Sequence, residues 1–151
     1  MPVYYILLLT VGEYMKLLIL FILTHPLFAN GEHLYTDVLD VAQTIYNEAQ
    51  GESYEGKCAV ATVIFNRAIN KDKTYQQVVK QSKQFAYSIP IIMDNIYYDQ
   101  CLEISKQLHA GTFVPLDNWN MFFNPDKCTP YWYKSMTNIH IIQHHKFGTL
   151  N

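Results

Sequence analysis

The sequence predicts an α+β domain in which α-helix predominates, and three observations carry that prediction. Val38, Val41 and Ile45 recur at helical spacing, and residues 58–65 form a second stretch that is apolar almost all round. Tyr97, Cys101, Ile104 and Leu108 mark a further helical face. Beyond Gly111 the periodicity stops, and turns at Pro115, Pro125 and Pro130 alternate with crowded aromatics. The expectation is a helical core with a loop-rich aromatic lobe.

With 151 residues the chain has the length of one domain that can bury a core unaided by metal or disulfide. Charged residues are only 16% and aromatics 15%, a composition that excludes a disordered chain. The net charge of -2, without any run of Lys or Arg, excludes nucleic acid as a partner.

The elements follow in order. Lys16, the apolar run 17–23, Pro26 and the small Ala29 read as a signal peptide cleaved after Ala29. Met15 is then the expected start, residues 1–14 an upstream extension and residues 30–151 the mature domain. The rival reading is a membrane anchor. Glu13 and Lys16 interrupt the apolar runs, and neither reaches the roughly 20 residues a span needs. The expected location is outside the cytoplasm: periplasm, cell wall or extracellular space, with no stable membrane insertion after cleavage.

Thr36 is the expected N-cap of the first helix, which runs to about Ala49. Gly51 is a helix-ending residue type. Ser53 is placed to cap the second helix, with Glu55 in its first turn and an end near Ile69. Asn66 and Arg67 near that end sit badly on a buried helix unless hydrogen-bonded. A short helix around Tyr75, Val78 and Val79 follows, then one over 94–109 closed by Gly111, and a strand over 138–142. Of Cys58, Cys101 and Cys128 one pair can bridge, without the sequence saying which; Cys58 reads as a small core residue.

One residue breaks the first apolar stripe. The position after Val41 and Ile45 is Glu48, just before the helix stops. A carboxylate on a buried face at a helix end belongs to the wall of a cleft, and a poorly solvated carboxyl group can hold a proton and deliver it. The plain alternative is a charged residue at a frayed end, turned to water.

Residues 45–56, Ile-Tyr-Asn-Glu-Ala-Gln-Gly-Glu-Ser-Tyr-Glu-Gly, resemble the signature G-E-A-R-G-E-x-x-E-G of the SleB/CwlJ-type cell wall hydrolases, with Asn47 for its Gly and Gln50 for its Arg. The resemblance continues through 59–67, through Gln84 and Phe85 (Q-F-S in the family), and through 122–125 (F-H-N-P). It ends with 130–132 (P-x-W) and 145–147 (H-x-F). It covers about residues 38–148, with the motifs in the family's order. Phe123 stands for the family's His, Ala86 for its Ser, and Gln143 and Gly148 depart from its C-terminal pattern.

This resemblance implies a lysozyme-like fold and the glycan strand of peptidoglycan as partner. It also implies Glu48 as the catalytic acid. A single carboxylic acid of this kind protonates the glycosidic oxygen. As carboxylate it then assists closure of the muramic 6-hydroxyl onto the anomeric carbon, leaving a 1,6-anhydro end; this is lytic transglycosylation, and it needs no cofactor. Glu52 is the reserve second carboxylate should water be the acceptor, while Glu55 reads as a helix-start residue. Glu52, Gln84, Asn124 and Trp132 are the expected substrate contacts, and Phe85 and Phe122 are expected in the core. His140 and His144 have ligand spacing, but H-E-x-x-H is absent and no metal site is expected there or at His145. The alternative function is a non-catalytic relative that binds peptidoglycan. Oligomeric state is not legible.

Overall fold

The computed structural model describes residues 26–82, 84–85 and 96–151, with side chains from residue 34 onward. The expected leader up to Leu23, Ala86 and the start of the helix expected at Asp94 lie outside these residues. By its internal contacts the chain divides into two compact units, residues 1–35 and 36–151. The second contains every site residue discussed below.

Among the described residues four helices precede a small sheet: α1 (Pro26–Ala49), α2 (Tyr54–Lys71), α3 (Tyr75–Val79) and α4 (Ile96–Ala110). Strands β1 (Met121–Phe123), β2 (Thr137–Ile142) and β3 (His145–Thr149) form an antiparallel sheet in the order β1-β3-β2, with a 3-10 turn (Tyr131–Ser135) between β1 and β2. The architecture is α+β and mostly helical.

The stripe of α1 is buried as expected at Val38, Val41, Ala42, Ile45 and Ala49. Thr36 is not its N-cap. The helix is already present at Pro26, and no breaker strong enough to stop it intervenes before Thr36. Gly51 follows the end of α1 at Ala49 without the left-handed conformation, Gly111 being the described glycine with positive φ.

Helix α2 is the central one. Ser53 caps it, its hydroxyl accepting from the Gly56 N–H at 3.2 Å. Ala59, Val60, Ala61, Thr62, Val63 and Ile64 are all inaccessible to solvent. The awkward polar pair is hydrogen-bonded. Asn66 Nδ2 donates to the carbonyls of Asp117 and Trp119 at 2.9 and 2.7 Å, and Arg67 Nε donates to that of Asn120 at 2.6 Å. These bonds fasten the loop ahead of β1 to the core helix, with the Leu116 N–H donating to the Thr62 hydroxyl at 3.0 Å.

A capping box of Thr74 and Gln77 starts α3, which buries Val78. On α4 the face turns out to be Tyr98, Cys101, Ile104 and Leu108. Tyr97 is half exposed, and its neighbour Tyr98 takes the buried position, in an edge contact with Tyr46. Ser105 ties α4 to α1 by donating to the Val38 carbonyl at 2.7 Å. All three cysteines are free thiols; Cys101 is buried, Cys58 half-buried and Cys128 exposed. Burial pushes the Cys101 thiol up to about 12 and raises that of Cys58.

The expected tail strand is β2, but it lies almost wholly exposed at the sheet edge. The middle strand is β3, whose Phe147 enters the core.

Candidate active site

Glu48 lies in the last turn of α1, half-buried. Facing it electrostatically is Arg67 of α2. Burial pushes the Arg67 guanidinium down to about 10, while the charge of Glu48 acts in the opposite sense and favours the cation. Arg67 is only 6% exposed. Its Nε is satisfied by Asn120, its Nη2 lies 3.3 Å from Met121 Sδ, and its plane covers the Phe85 ring at 5.2 Å. Its Nη1 is buried without a hydrogen-bond partner. A buried cation with few acceptors is costly unless an anion compensates it.

Four residues beyond Glu48, Glu52 is buried in the link between α1 and α2. Its Oε1 lies 3.2 Å from His144 Nδ1 and 3.1 Å from His145 Nδ1, while Oε2 is buried and unpartnered. The wholly buried Lys57 donates to the Glu52 carbonyl and sits over the Tyr97 ring at 5.2 Å. Gln143, in the turn between β2 and β3, accepts from the Ser53 N–H through its side-chain oxygen. The first turn of α2 and the β2–β3 turn are thereby joined. Gly56 makes room for this arrangement, since a Cβ there would stand 2.7 Å from Glu52 Cβ.

Aromatic rings connect the two carboxylate environments. Phe122 lies 6.3 Å from Phe85, 5.7 Å from His145 and 5.6 Å from Phe147, centroid to centroid. Phe85 and Phe122 pack against the core, as expected.

The other expected contacts are dispersed. Gln84 is exposed and lines a cavity of about 210 Å³ together with Arg67. Asn124 closes a turn, its Oδ1 accepting from the Asp126 N–H at 2.9 Å. Trp132 makes an edge contact with Phe123 at 5.7 Å, and Phe123 is buried. His140 does not join His144; it lies 3.2 Å from Asn138 Oδ1 and tilts over Trp119 at 5.1 Å. Among the described residues no group of three or more potential ligands is arranged to hold a metal. Nor is any described helix long and apolar enough to cross a membrane.

Sequence reasoning missed the Glu52–His145 contact, which no local pattern announces. Arg67 did leave a signal, as a cation on an apolar helix, and the charge of Glu48 acts on it.

A family model described as Cell Wall Hydrolase matches residues 51–148. The chain is 30% identical over 120 residues to a spore cortex-lytic enzyme of Oceanobacillus iheyensis, covering 74% of this chain and 41% of that protein. It is 29% identical over 119 residues to a spore cortex-lytic enzyme of Bacillus subtilis, covering 74% and 37%. The chain thus spans about two fifths of the length of these relatives. Among solved structures it resembles the catalytic domain of the germination-specific lytic transglycosylase SleB from Bacillus anthracis. There the TM-score is 0.59 at 27% identity, over 75% of this chain and 93% of that one. The catalytic domain of the Bacillus cereus SleB protein gives 0.58 at 28%, over 75% and 89%. The fold is therefore the lysozyme-like arrangement that the signature implied.

Proposed function

This chain belongs to the cell wall hydrolase family, and from that premise we propose that it cleaves the glycan strand of peptidoglycan by lytic transglycosylation, with Glu48 as acid and then base. The observation that supports the assignment is a half-buried carboxylate at a helix end whose charge acts on the buried Arg67 cation. Glu48 delivers its proton to the oxygen leaving the muramic anomeric carbon. The oxocarbenium-like charge that develops is then met by the new carboxylate. In the second half of the reaction Glu48 takes the proton of the muramic 6-hydroxyl, the hydroxyl oxygen bonds to the anomeric carbon, and the acid is restored.

Glu52 has a different environment. Its Oε1 is engaged by two imidazoles and its carboxylate is closed to bulk water, so it supports the α1–α2 link that follows the helix turn carrying Glu48. Gln84 and Trp132 are the better placed of the expected sugar contacts, because the Asn124 Oδ1 is engaged in its own turn. The names of the relatives support peptidoglycan as substrate, and cleavage of peptidoglycan requires export. A start at Met15 with cleavage after Ala29 is the route proposed. The bond after Ala29 lies within α1, and N-terminal sequencing of the secreted product tests it.

Mass spectrometry of muropeptides after digestion of purified sacculi decides the chemistry. Anhydromuramic ends are expected, and Glu48→Gln should lower the rate by about two to four orders of magnitude with folding intact. Reducing ends would replace the transglycosylase by a water-using glycosidase. Binding without products would leave the non-catalytic relative, a reading that the buried Phe123 in place of the family's His favours.

A further inference from the structure

The turn between β2 and β3 is Gln143-His144, and Gln143 has a φ of 48°. That left-handed conformation is costly for a residue with a Cβ, and tight hairpin turns favour Gly, Asn or Asp there. The Gln143 side chain does not stay within the turn. Its Oε1 accepts from the Ser53 N–H, 90 residues away in sequence. A strained turn whose side chain reaches across the fold points to a role outside the turn.

The next residues reach the same link. His144 and His145 place their Nδ1 atoms 3.2 and 3.1 Å from one oxygen of Glu52. An ionised carboxylate only accepts, so each imidazole donates its Nδ1–H there. The His144 side chain is 64% exposed, whereas that of His145 is 10% exposed and meets the Phe122 ring edge-on at 5.7 Å. Consecutive residues of the turn thus hold Glu52 and Ser53, which are themselves consecutive. Glu52 passes the hold on. Its N–H donates to the Ala49 carbonyl at 3.0 Å, and Ala49 directly follows Glu48 in the last turn of α1.

We propose that Gln143, His144 and His145 are positioning residues for Glu48, a clamp from the sheet that fixes how the end of α1 presents its carboxyl group. The proposal rests on Glu48 as the acid of the reading above. The three act through Glu52 and Ser53, not by touching the glycan. Proton transfer needs heavy atoms about 2.6–3.2 Å apart. A helix end that wanders by about 1 Å therefore loses kcat while the contacts that bind the strand are kept.

The test has two arms, both on the full chain. Gln143→Gly keeps the turn, since glycine adopts positive φ freely, and removes only the long side chain. With Tm little changed, kcat on soluble glycan strands should fall about tenfold while KM stays within about twofold. His144→Ala should lower kcat likewise, and His144→Asn, whose amide nitrogen replaces Nδ1 as donor, should recover most of it. An unchanged kcat in Gln143→Gly, a raised KM at unchanged kcat, or equal rates for Ala and Asn at position 144 would overturn the clamp.

The second arm needs no turnover, so it separates failure of this proposal from failure of the enzymatic one. Residue-resolved amide exchange is compared for wild type and Gln143→Gly. Ser53 loses its acceptor in the variant, and the Glu52 N–H should exchange about tenfold faster as the link loosens, with the α4 amides unmoved. A change confined to Ser53 would mean that the hold stops short of Ala49 and would overturn the proposal, whatever the activity. Faster exchange at Glu52 in a chain that cleaves nothing would uphold the hold on α1 and refute Glu48 as acid instead.

Discussion

Two glycines of the same signature should respond oppositely to one added methyl group. At Gly56 a Cβ would stand 2.7 Å from Glu52 Cβ and 3.4 Å from Glu52 Oε2. Two carbons need a separation of about 3.5 Å or more, so one of them must move by most of an ångström. Glu52 Cβ is not the tip of a flexible side chain. Its backbone N–H donates to the Ala49 carbonyl at 3.0 Å, and its own carbonyl accepts from Lys57. The displacement therefore reaches the end of α1, where Glu48 sits, and the two histidine contacts of Glu52.

Overpacking of this kind costs about 1–3 kcal/mol, which for a chain of this size lowers Tm by roughly 3–10 °C. At Gly51 a Cβ meets nothing within 4 Å, and the backbone φ is not positive. Gly51→Ala should stabilise by about 0.4–1 kcal/mol through the unfolded chain. Calorimetry of Gly56→Ala and Gly51→Ala, with sacculus turbidity as the activity readout, makes the comparison. If Gly56→Ala melts like wild type and retains full activity, the packing account of Glu52 is wrong.

Further outcomes follow from the core. Asn66→Ala orphans the Asp117 and Trp119 carbonyls and should cost about 2–4 kcal/mol, read as a lowered urea midpoint with an unchanged slope. Of the three thiols, only Cys128 should react promptly with maleimide at neutral pH, because Cys58 and Cys101 are shielded and their thiolates disfavoured. Peptide mapping after brief labelling checks this. Because the Cys101 thiol is raised in the folded state to about 12, the native protein holds its proton where the unfolded chain has released it. Its contribution is complete below about pH 9 and is lost as pH rises toward 12. Cys101→Ala should flatten the fall in Tm across that window, whatever its effect at pH 7; an identical fall would contradict the assignment.

The helical half of the molecule was legible because its signals are local. Apolar spacing marked α1 and α2, and Ser53 announced the cap it forms. Glu48 was conspicuous as a carboxylate on a stripe of buried side chains. The departures came where tertiary context decides. Thr36 had the chemistry of a cap, yet the helix already runs through it from Pro26. Tyr97 and Tyr98 are adjacent and chemically equal, so packing against Tyr46 selects which is buried. The Glu52–His145 pairing spans 93 residues, beyond the range of any periodic pattern. Strand β3 was missed because five residues containing His, Lys and Gly lack the apolar alternation that reveals strands.

The position of β3 has a consequence for how the chain is made. Among the described residues strands β1 and β2 pair with no strand other than β3, which lies between them and comes after both in sequence. A growing polypeptide that has reached residue 142 holds two edges with nothing to join. Only when Phe147 emerges can the sheet close, the aromatic cluster around Phe122 assemble and the loop ahead of β1 be fixed at its far end by Leu150. Such long-range pairing is slow. The sheet therefore stays incomplete until β3 and Leu150 have been synthesised.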